Sequence, residues 1–388
     1  MIPEKLKHEF KGSRFLLVPG HLGYIGGAER QAMILAESLA ANLDCNVDVL
    51  GWGVEGGDYS EALNAVGMNP VGYPWKFEAR GIHRTANALR LARFIKRRFQ
   101  PDYILPFVGY HCKLIGSIWR WTGARFTWWN QRDEGRYVLG TKTEHRLMRT
   151  LPAIVSNSWE GRDFLLSKFS LPRERVTVIN NGVQLPQQTG SSDWRERLGV
   201  RSDELLVLMI ANISEFKDHT TLLRAFAALQ QTDVGSRCRL VLAGRHDSAT
   251  LAVKALAFDL GLCNKALLPG IIPMNDMPSL IEAADLVVHS SVREGCPNAA
   301  LEAMAHGRCV VGTRIPGMVQ AIGEDRAQQF LAESGNANQL MELMRYFLSN
   351  PDYRSAAGEH NRERIRSEFS VTKMTTAVLQ TILATRTR

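Results

Sequence analysis

The sequence predicts an α/β chain with two parallel β-sheets, one in each half, each wrapped by crossover helices. Three observations predict it. Short apolar runs alternate with helical stretches along all 388 residues, the pattern left by parallel strands and their connecting helices. That length exceeds what one core usually organises, so two domains are expected. A polar, turn-rich segment, Leu185-Pro-Gln-Gln-Thr-Gly-Ser-Ser-Asp, separates the two sets of runs and reads as their linker. With 45% hydrophobic and 22% charged residues, fibrous and disordered classes are excluded.

In the first half the apolar runs place strands at Phe15 to Val18, Val47 to Leu50, Tyr103 to Pro106, Arg125 to Trp129 and Ala153 to Ser156. In the second half they fall at Leu205 to Ile210, Arg239 to Ala243, Ala266 to Leu268, Asp285 to His289 and Cys309 to Gly312. A last helix is expected from Val371 to Thr385, capped near Ser370. After the first strand, Gly20-His-Leu-Gly-Tyr-Ile-Gly-Gly opens a helix near Ala28. A dinucleotide fingerprint would need G-x-G-x-x-G and an acid ending the second strand; the spacing here is G-x-x-G-x-x-G-G and that strand ends Val49-Leu-Gly-Trp. A dehydrogenase is therefore disfavoured.

The stretch from Ser290 to Thr313 carries the strongest chemistry. Asp285-Leu-Val-Val-His-Ser reads as a buried strand, Pro297 and Asn298 as a helix start, Ala299 to Ala305 as helix and Gly307 as its stop. The first turn of a helix presents unpaired N–H groups and partial positive charge, which suit a phosphate. Glu294 lies in the loop before that turn and Glu302 on the helix after it, with seven residues between them. Two carboxylates that can accept hydroxyl protons thus flank one anion site, a trio that fits sugar, diphosphate and ribose.

The residues EGCPNAALEAMAHG, with this E-x7-E spacing, resemble the donor site of the family-4 retaining glycosyltransferases of the GT-B fold. GGAER at Gly26 to Arg30, VINNGV from Val178 and ANISEFKDHTTLLRAF from Ala211 are similar to further blocks of that family, in its order. The likeness runs over nearly the whole chain, strongest from Val155 to Gly323 and weakest from Asn46 to Thr150. It implies two Rossmann-like domains facing each other across a cleft. Residues 1–184 would bind the acceptor and residues 185–370 the nucleotide sugar, with 371–388 as a helix packing back on the first domain.

The resemblance also implies roles. His111, after Phe107-Val-Gly-Tyr, would hydrogen-bond and orient the transferred sugar and help balance charge at the transition state. Gly26 and Gly27 would let backbone approach the donor. Lys217 would meet the pyrophosphate, Glu294 the sugar hydroxyls and Glu302 the ribose diol. Gly295, Cys296, Asn298 and Ala299 would line the phosphate, with Asn212, Gly244, Arg245 and Ile272 completing the donor site. Many members carry an arginine where this chain has Asn212, so Arg245 could supply that charge. Catalytic roles fall to His111, Lys217 and Glu294. Around the tryptophan-rich stretch 119–129, Asn130, Arg132 and Arg136 are candidates for acceptor contacts.

These readings amount to a retaining hexosyltransferase that moves sugar from UDP-glucose or another UDP-hexose to a glycan or lipid-linked acceptor in polysaccharide biosynthesis. A sugar-nucleotide epimerase of the same fold and a non-catalytic nucleotide-binding subunit are the alternatives; acceptor-dependent UDP release separates them. No D-x-D triplet is present and the six cysteines show no pairing pattern, so neither a metal nor another cofactor is expected. No apolar stretch approaches a membrane span, and residues 1–14 are too charged for a signal peptide, so a cytoplasmic location is expected. The net charge is +8, and Lys76 to Arg98 holds eight Lys or Arg against Glu78 alone. Helical spacing puts Ala88, Ala92, Ile95 and Phe99 on one face. That helix suits peripheral contact with the inner face of an anionic membrane or an ordinary core-packed surface helix. No nucleic-acid reading module accompanies it.

Overall fold

The computed structural model describes residues 1–53, 56–75, 81–186 and 193–386. Two compact units divide the chain: Met1–Gly182 with Val371–Arg388, and Val183–Ser370. The first contains β1 (Arg14–Val18), β2 (Asn46–Trp52), β3 (Val71–Tyr73), β4 (Tyr103–Pro106), β5 (Phe126–Gln131), β6 (Ala153–Ser156) and β7 (Val176–Val178). The second contains β8 (Leu205–Ile210), β9 (Cys238–Ala243), β10 (Ala266–Gly270), β11 (Leu286–His289), β12 (Val310–Thr313) and β13 (Leu331–Ala332). Both sheets are parallel, in the orders β3-β2-β1-β4-β5-β6-β7 and β10-β9-β8-β11-β12-β13.

Parallel strands with helices on both faces read as unbroken apolar runs, because neither face meets water. Leu206, Val207, Leu208 and Met209 of β8 and Leu240, Val241, Leu242 and Ala243 of β9 are all fully buried. Each Leu, Val or Met side chain among them contributes roughly 1.5–3 kcal/mol of transfer free energy. Register follows, with Leu208 opposite Val241 in β9 and Val287 in β11.

Three strands lacked a sequence signal: β3, β7 and β13. Each has two or three residues and sits at a sheet edge, too short for an apolar run to stand out. β5 extends to Gln131, past the expected end at Trp129. Trp128 and Trp129 are buried and Trp119 nearly so, whereas Trp121 is exposed. Of the segment read as linker, residues 187–192 lie outside the described residues, and the first unit gives way to the second between Gly182 and Val183.

The basic segment is described from Gly81, as the helix Gly81–Arg98; residues 76–80 lie outside the described residues. Leu91, Ala92, Ile95 and Phe99 are buried, and the helix packs on its neighbour Gly109–Thr122. Ala88 is half-buried. The apolar stripe is thus spent in the core, while Arg84, Arg90, Arg93, Lys96, Arg97 and Arg98 face water. Among the described residues no helix is long and apolar enough to cross a membrane. The last helix, Val371–Arg386, lies within the first unit against Gly27–Asn42, with Thr375 Oγ1 and Ser38 Oγ 2.7 Å apart.

In each sheet one neighbouring pair, β1 with β4 and β8 with β11, has its following connections leading to opposite sides. Such switch points open a crevice at the strands' C-terminal ends, where α/β sheets bind ligands. Gly26, Gly27 and His111 follow β1 and β4, and Asn212, Lys217, Glu294 and Glu302 follow β8 and β11.

Candidate active site

In the second unit, the loop after β8 carries Asn212 and a turn of 3₁₀ helix, Glu215–Lys217; the loop after β11 carries Glu294. Three ties join them. The Val292 N–H donates to the Phe216 carbonyl at 2.9 Å. Ser290 Oγ lies 3.1 and 3.0 Å from the carbonyls of Lys217 and Asp218. The Lys217 ammonium closes an ion pair on Glu294 Oε1.

Glu294 is a quarter or less exposed, at 17% of its side chain. Burial opposes its charge, but Lys217 and His289 outweigh that and hold the carboxyl well below the usual carboxylate range. His289 Nε2 stands 3.2 Å from Glu294 Oε1, and Ser291 Oγ donates to the same oxygen at 3.2 Å. Thr313 Oγ1 donates to the Ser291 carbonyl at 2.5 Å and so braces the loop from β12. A methyl at Gly317 would come within 2.6 Å of the carbonyl oxygens of both Glu294 and Gly295, so this turn is seated directly on the helix Pro316–Ile322.

The turn feeds the helix Asn298–Ala305, whose N-cap position is Pro297 and whose stop is Gly307 at φ 66°. Gly295 is buried, and Cys296, Asn298 and Ala299 are half-buried around the first turn. Glu302 is only 9% exposed, unlike a carboxylate on an ordinary solvated helix face. Gly244, at φ 155°, leaves the Ala211 carbonyl where a side chain would stand; the loops after β8 and β9 therefore touch backbone to backbone. Asn212 Oδ1 accepts from the Arg245 N–H at 3.3 Å. The Arg245 side chain is about half exposed and lies 3.5 Å from Asp247, while Ile272 is buried beyond β10.

His219 escaped the sequence reading. It begins the helix His219–Leu229, is 2% exposed, and neither ring nitrogen has a hydrogen-bond partner among the described residues. Burial, with Lys217 and His289 nearby, lowers its pKa to about 4, so the ring is neutral.

In the first unit, the glycine loop after β1 meets the residues after β4. His111 lies within the helix Gly109–Thr122, not in the strand-end loop itself; it is 5% exposed, stacked on Trp52 with centroids 5.3 Å apart, and both ring nitrogens lack hydrogen-bond partners among the described residues. Burial, aided by His21, lowers its pKa to about 3. The ring is neutral and offers hydrogen bonds but no standing charge.

Gly26 is the N-cap and Gly27 the first residue of the helix Gly27–Asn42. Glu29, also missed from sequence, folds its buried carboxylate over this loop. Side chains at Gly20 and Gly26 would meet its two oxygens at 2.5 and 2.6 Å, so the carboxylate keeps this place because both positions are bare. Burial raises the Glu29 pKa against the N–H groups of Glu29 and Gly26, which favour the anion.

The acceptor candidates diverge. Asn130 was expected just after a strand, but the longer β5 places it inside the sheet at 3% exposure, where its N–H meets Cys112 Sγ at 3.4 Å. Arg132 donates to Asn181 Oδ1 at 2.8 Å, and Arg136 pairs with Glu134 at 2.9 Å. Among the described residues no three His, Cys, Asp or Glu side chains are grouped to hold a metal.

Comparison with known proteins matches both units. Residues 25–186 match Glycosyltransferase Family 4 and residues 191–364 match Glycosyl transferases group 1. An uncharacterized glycosyltransferase of Methanocaldococcus jannaschii is 26% identical over 315 residues, 77% of this chain and 79% of that protein. A D-inositol 3-phosphate glycosyltransferase of Acidothermus cellulolyticus is 27% identical over 198 residues, 49% of this chain and 44% of the relative, so the match spans under half of that protein. The crystal structure of Anabaena Alr3699/HepE in complex with UDP and glucose superposes with a TM-score of 0.80 at 18% identity, covering 96% of this chain and 100% of that one. Two parallel-sheet units, the arrangement at their strand ends and these matches together make the chain a GT-B glycosyltransferase of the family 4 type.

Proposed function

We propose that the protein transfers a hexose from a UDP-sugar, UDP-glucose being the first candidate, to a glycan or lipid-linked saccharide with retention of configuration, as a step in cytoplasmic polysaccharide biosynthesis. One observation carries the reading: Lys217 and Glu294 meet at the β8/β11 switch point, directly ahead of the helix turn that leads to buried Glu302. A cation for phosphate, an N–H-rich turn and two carboxylates for hydroxyls stand in sequence along one sheet edge. The UDP bound to HepE supports the choice of nucleotide.

In this reading the N–H groups around Asn298 hold the diphosphate, Glu302 the ribose diol and Glu294 the sugar hydroxyls. Lys217, now on Glu294, turns to the β-phosphate and stabilises charge as it leaves. The bond from the anomeric carbon to the phosphate oxygen breaks, the acceptor oxygen bonds to the same face, and its proton passes to the departing phosphate. His111 supplies a neutral hydrogen bond to the sugar. No metal enters the scheme, and chelator leaves turnover unchanged.

A thermal-shift panel of nucleotide sugars tests the donor, since a ligand that binds only the native state raises its melting point. UDP-glucose or another UDP-hexose gives the largest rise; a panel without any rise contradicts the reading. Acceptor-dependent UDP release then distinguishes transfer from epimerisation and from inert binding.

The six exposed cations of Gly81–Arg98 support peripheral contact with an anionic membrane. With its apolar stripe buried, the helix can offer only charge, so binding falls steeply with salt. Vesicle sedimentation of Arg90→Glu/Arg93→Glu/Arg97→Glu against the unaltered protein tests this: the triple variant stays in the supernatant, and equal sedimentation contradicts the contact.

A further inference from the structure

All the partners that the described residues give Glu294 fall on one oxygen. Lys217, His289 and Ser291 each reach Oε1, and none reaches Oε2. The carboxylate is therefore held by one edge and presents the other. His289 ends β11, an otherwise apolar strand, and its side chain is 3% exposed. A polar ring at such a place costs free energy unless it is hydrogen-bonded, and its bonds are to Glu294 and to Ser291 Oγ, 3.1 Å from Nε2. An ionised carboxylate only accepts, so His289 and Ser291 act as its donors.

The three anchors differ in what holds them. Lys217 reaches Glu294 on a flexible four-carbon stem whose charge is equally suited to phosphate. His289 is fixed by its strand, paired with Gly312 of β12, and Ser291 by the Thr313 bond to its carbonyl. When Lys217 moves to an anion, only the two rigid donors remain on Oε1.

We infer that His289, seconded by Ser291, is the positioning residue that keeps Glu294 aimed at the sugar hydroxyls after Lys217 has turned to the donor phosphate. The inference rests on the donor-site reading above and assigns Glu294 its support. His289 touches no substrate, so its loss acts on transfer and leaves the grip on bare nucleotide alone.

The test compares His289→Leu, His289→Gln and Ser291→Ala with the unaltered protein in sugar transfer and in UDP titration. Losing one donor to a charged group lowers kcat about tenfold or more in His289→Leu while the UDP Kd stays within about twofold. His289→Gln keeps one N–H donor and recovers most of the loss; Ser291→Ala falls between. Should His289→Leu melt below the assay temperature, the other two variants carry the comparison. Unchanged kcat in Ser291→Ala and His289→Leu, equal impairment of the Leu and Gln variants, or loss of UDP affinity in step with kcat overturns the inference. If these variants transfer normally beside an active parent, only the positioning role falls. If the parent neither binds UDP-sugars nor transfers, the donor-site reading falls with it.

Discussion

Lys217 and Glu294, 77 residues apart in the chain, share one carboxylate oxygen at the point where β8 and β11 part. The Lys217 ammonium is thus held on the Glu294 carboxylate. In the proposed mechanism, donor phosphate competes for that cation. Lys217→Ala removes the charge proposed to act on the leaving phosphate, so turnover falls by roughly 10²–10³. Steady-state UDP release checks it; a loss smaller than about tenfold contradicts the role.

Gly317 gives a second prediction, from packing alone. A methyl there meets two carbonyl oxygens at 2.6 Å, and backbone cannot yield as a side chain tip does. Gly317→Ala shifts the Glu294–Gly295 turn by a fraction of an ångström or more. Misplacement of that order costs up to about 10²-fold in rate. The expected result is a loss of transfer larger than the loss of melting temperature; normal transfer with normal stability shows that the turn is not seated as described.

The buried histidines set an acid limit. His111 and His219 are held neutral, with pKa values lowered from 6.5 to about 3 and about 4. Unfolded, each takes up its proton near 6.5, while the folded protein waits for the lower value. Their full contribution to stability is therefore present above 6.5 and is withdrawn as pH falls through the window below it. Each contributes a slope of up to about 1.4 kcal/mol per pH unit. Replacing His219 with Asn flattens the fall in unfolding free energy between pH 6.5 and 4.5 by about one proton's worth. Parallel stability profiles for variant and parent contradict the assignment.

Much of this was legible in the sequence because the proposed donor residues sit where two simple signals meet. Apolar runs mark β8 and β11, and the Gly-Cys-Pro-Asn turn marks where the helix begins, so Lys217, Glu294 and Glu302 could be placed relative to strand ends. His289 could not: one polar residue ending Leu-Val-Val reads as a strand terminus, and only the fold brings its ring to Glu294, five residues onward. Glu29 was hidden likewise, since a glutamate in a first helical turn normally faces water, yet it is 6% exposed against two bare glycines. Asn130 was misplaced because the aromatic pair Trp128-Trp129 gives no stop signal, and β5 simply continues. The edge strands β3, β7 and β13 depend on partners already in the sheet more than on their own two or three residues.

The central claim is that Glu302 and Glu294 hold different parts of one nucleotide sugar, and titration calorimetry with UDP and with a UDP-hexose tests it most directly. Glu302→Ala binds UDP about tenfold or more weakly, since deletion of a charged hydrogen-bond partner costs about 1.5–3 kcal/mol. Glu294→Ala binds bare UDP as the parent does but loses the added affinity for the sugar and nearly all transfer. Undiminished UDP binding by Glu302→Ala, or normal transfer by Glu294→Ala, contradicts the account.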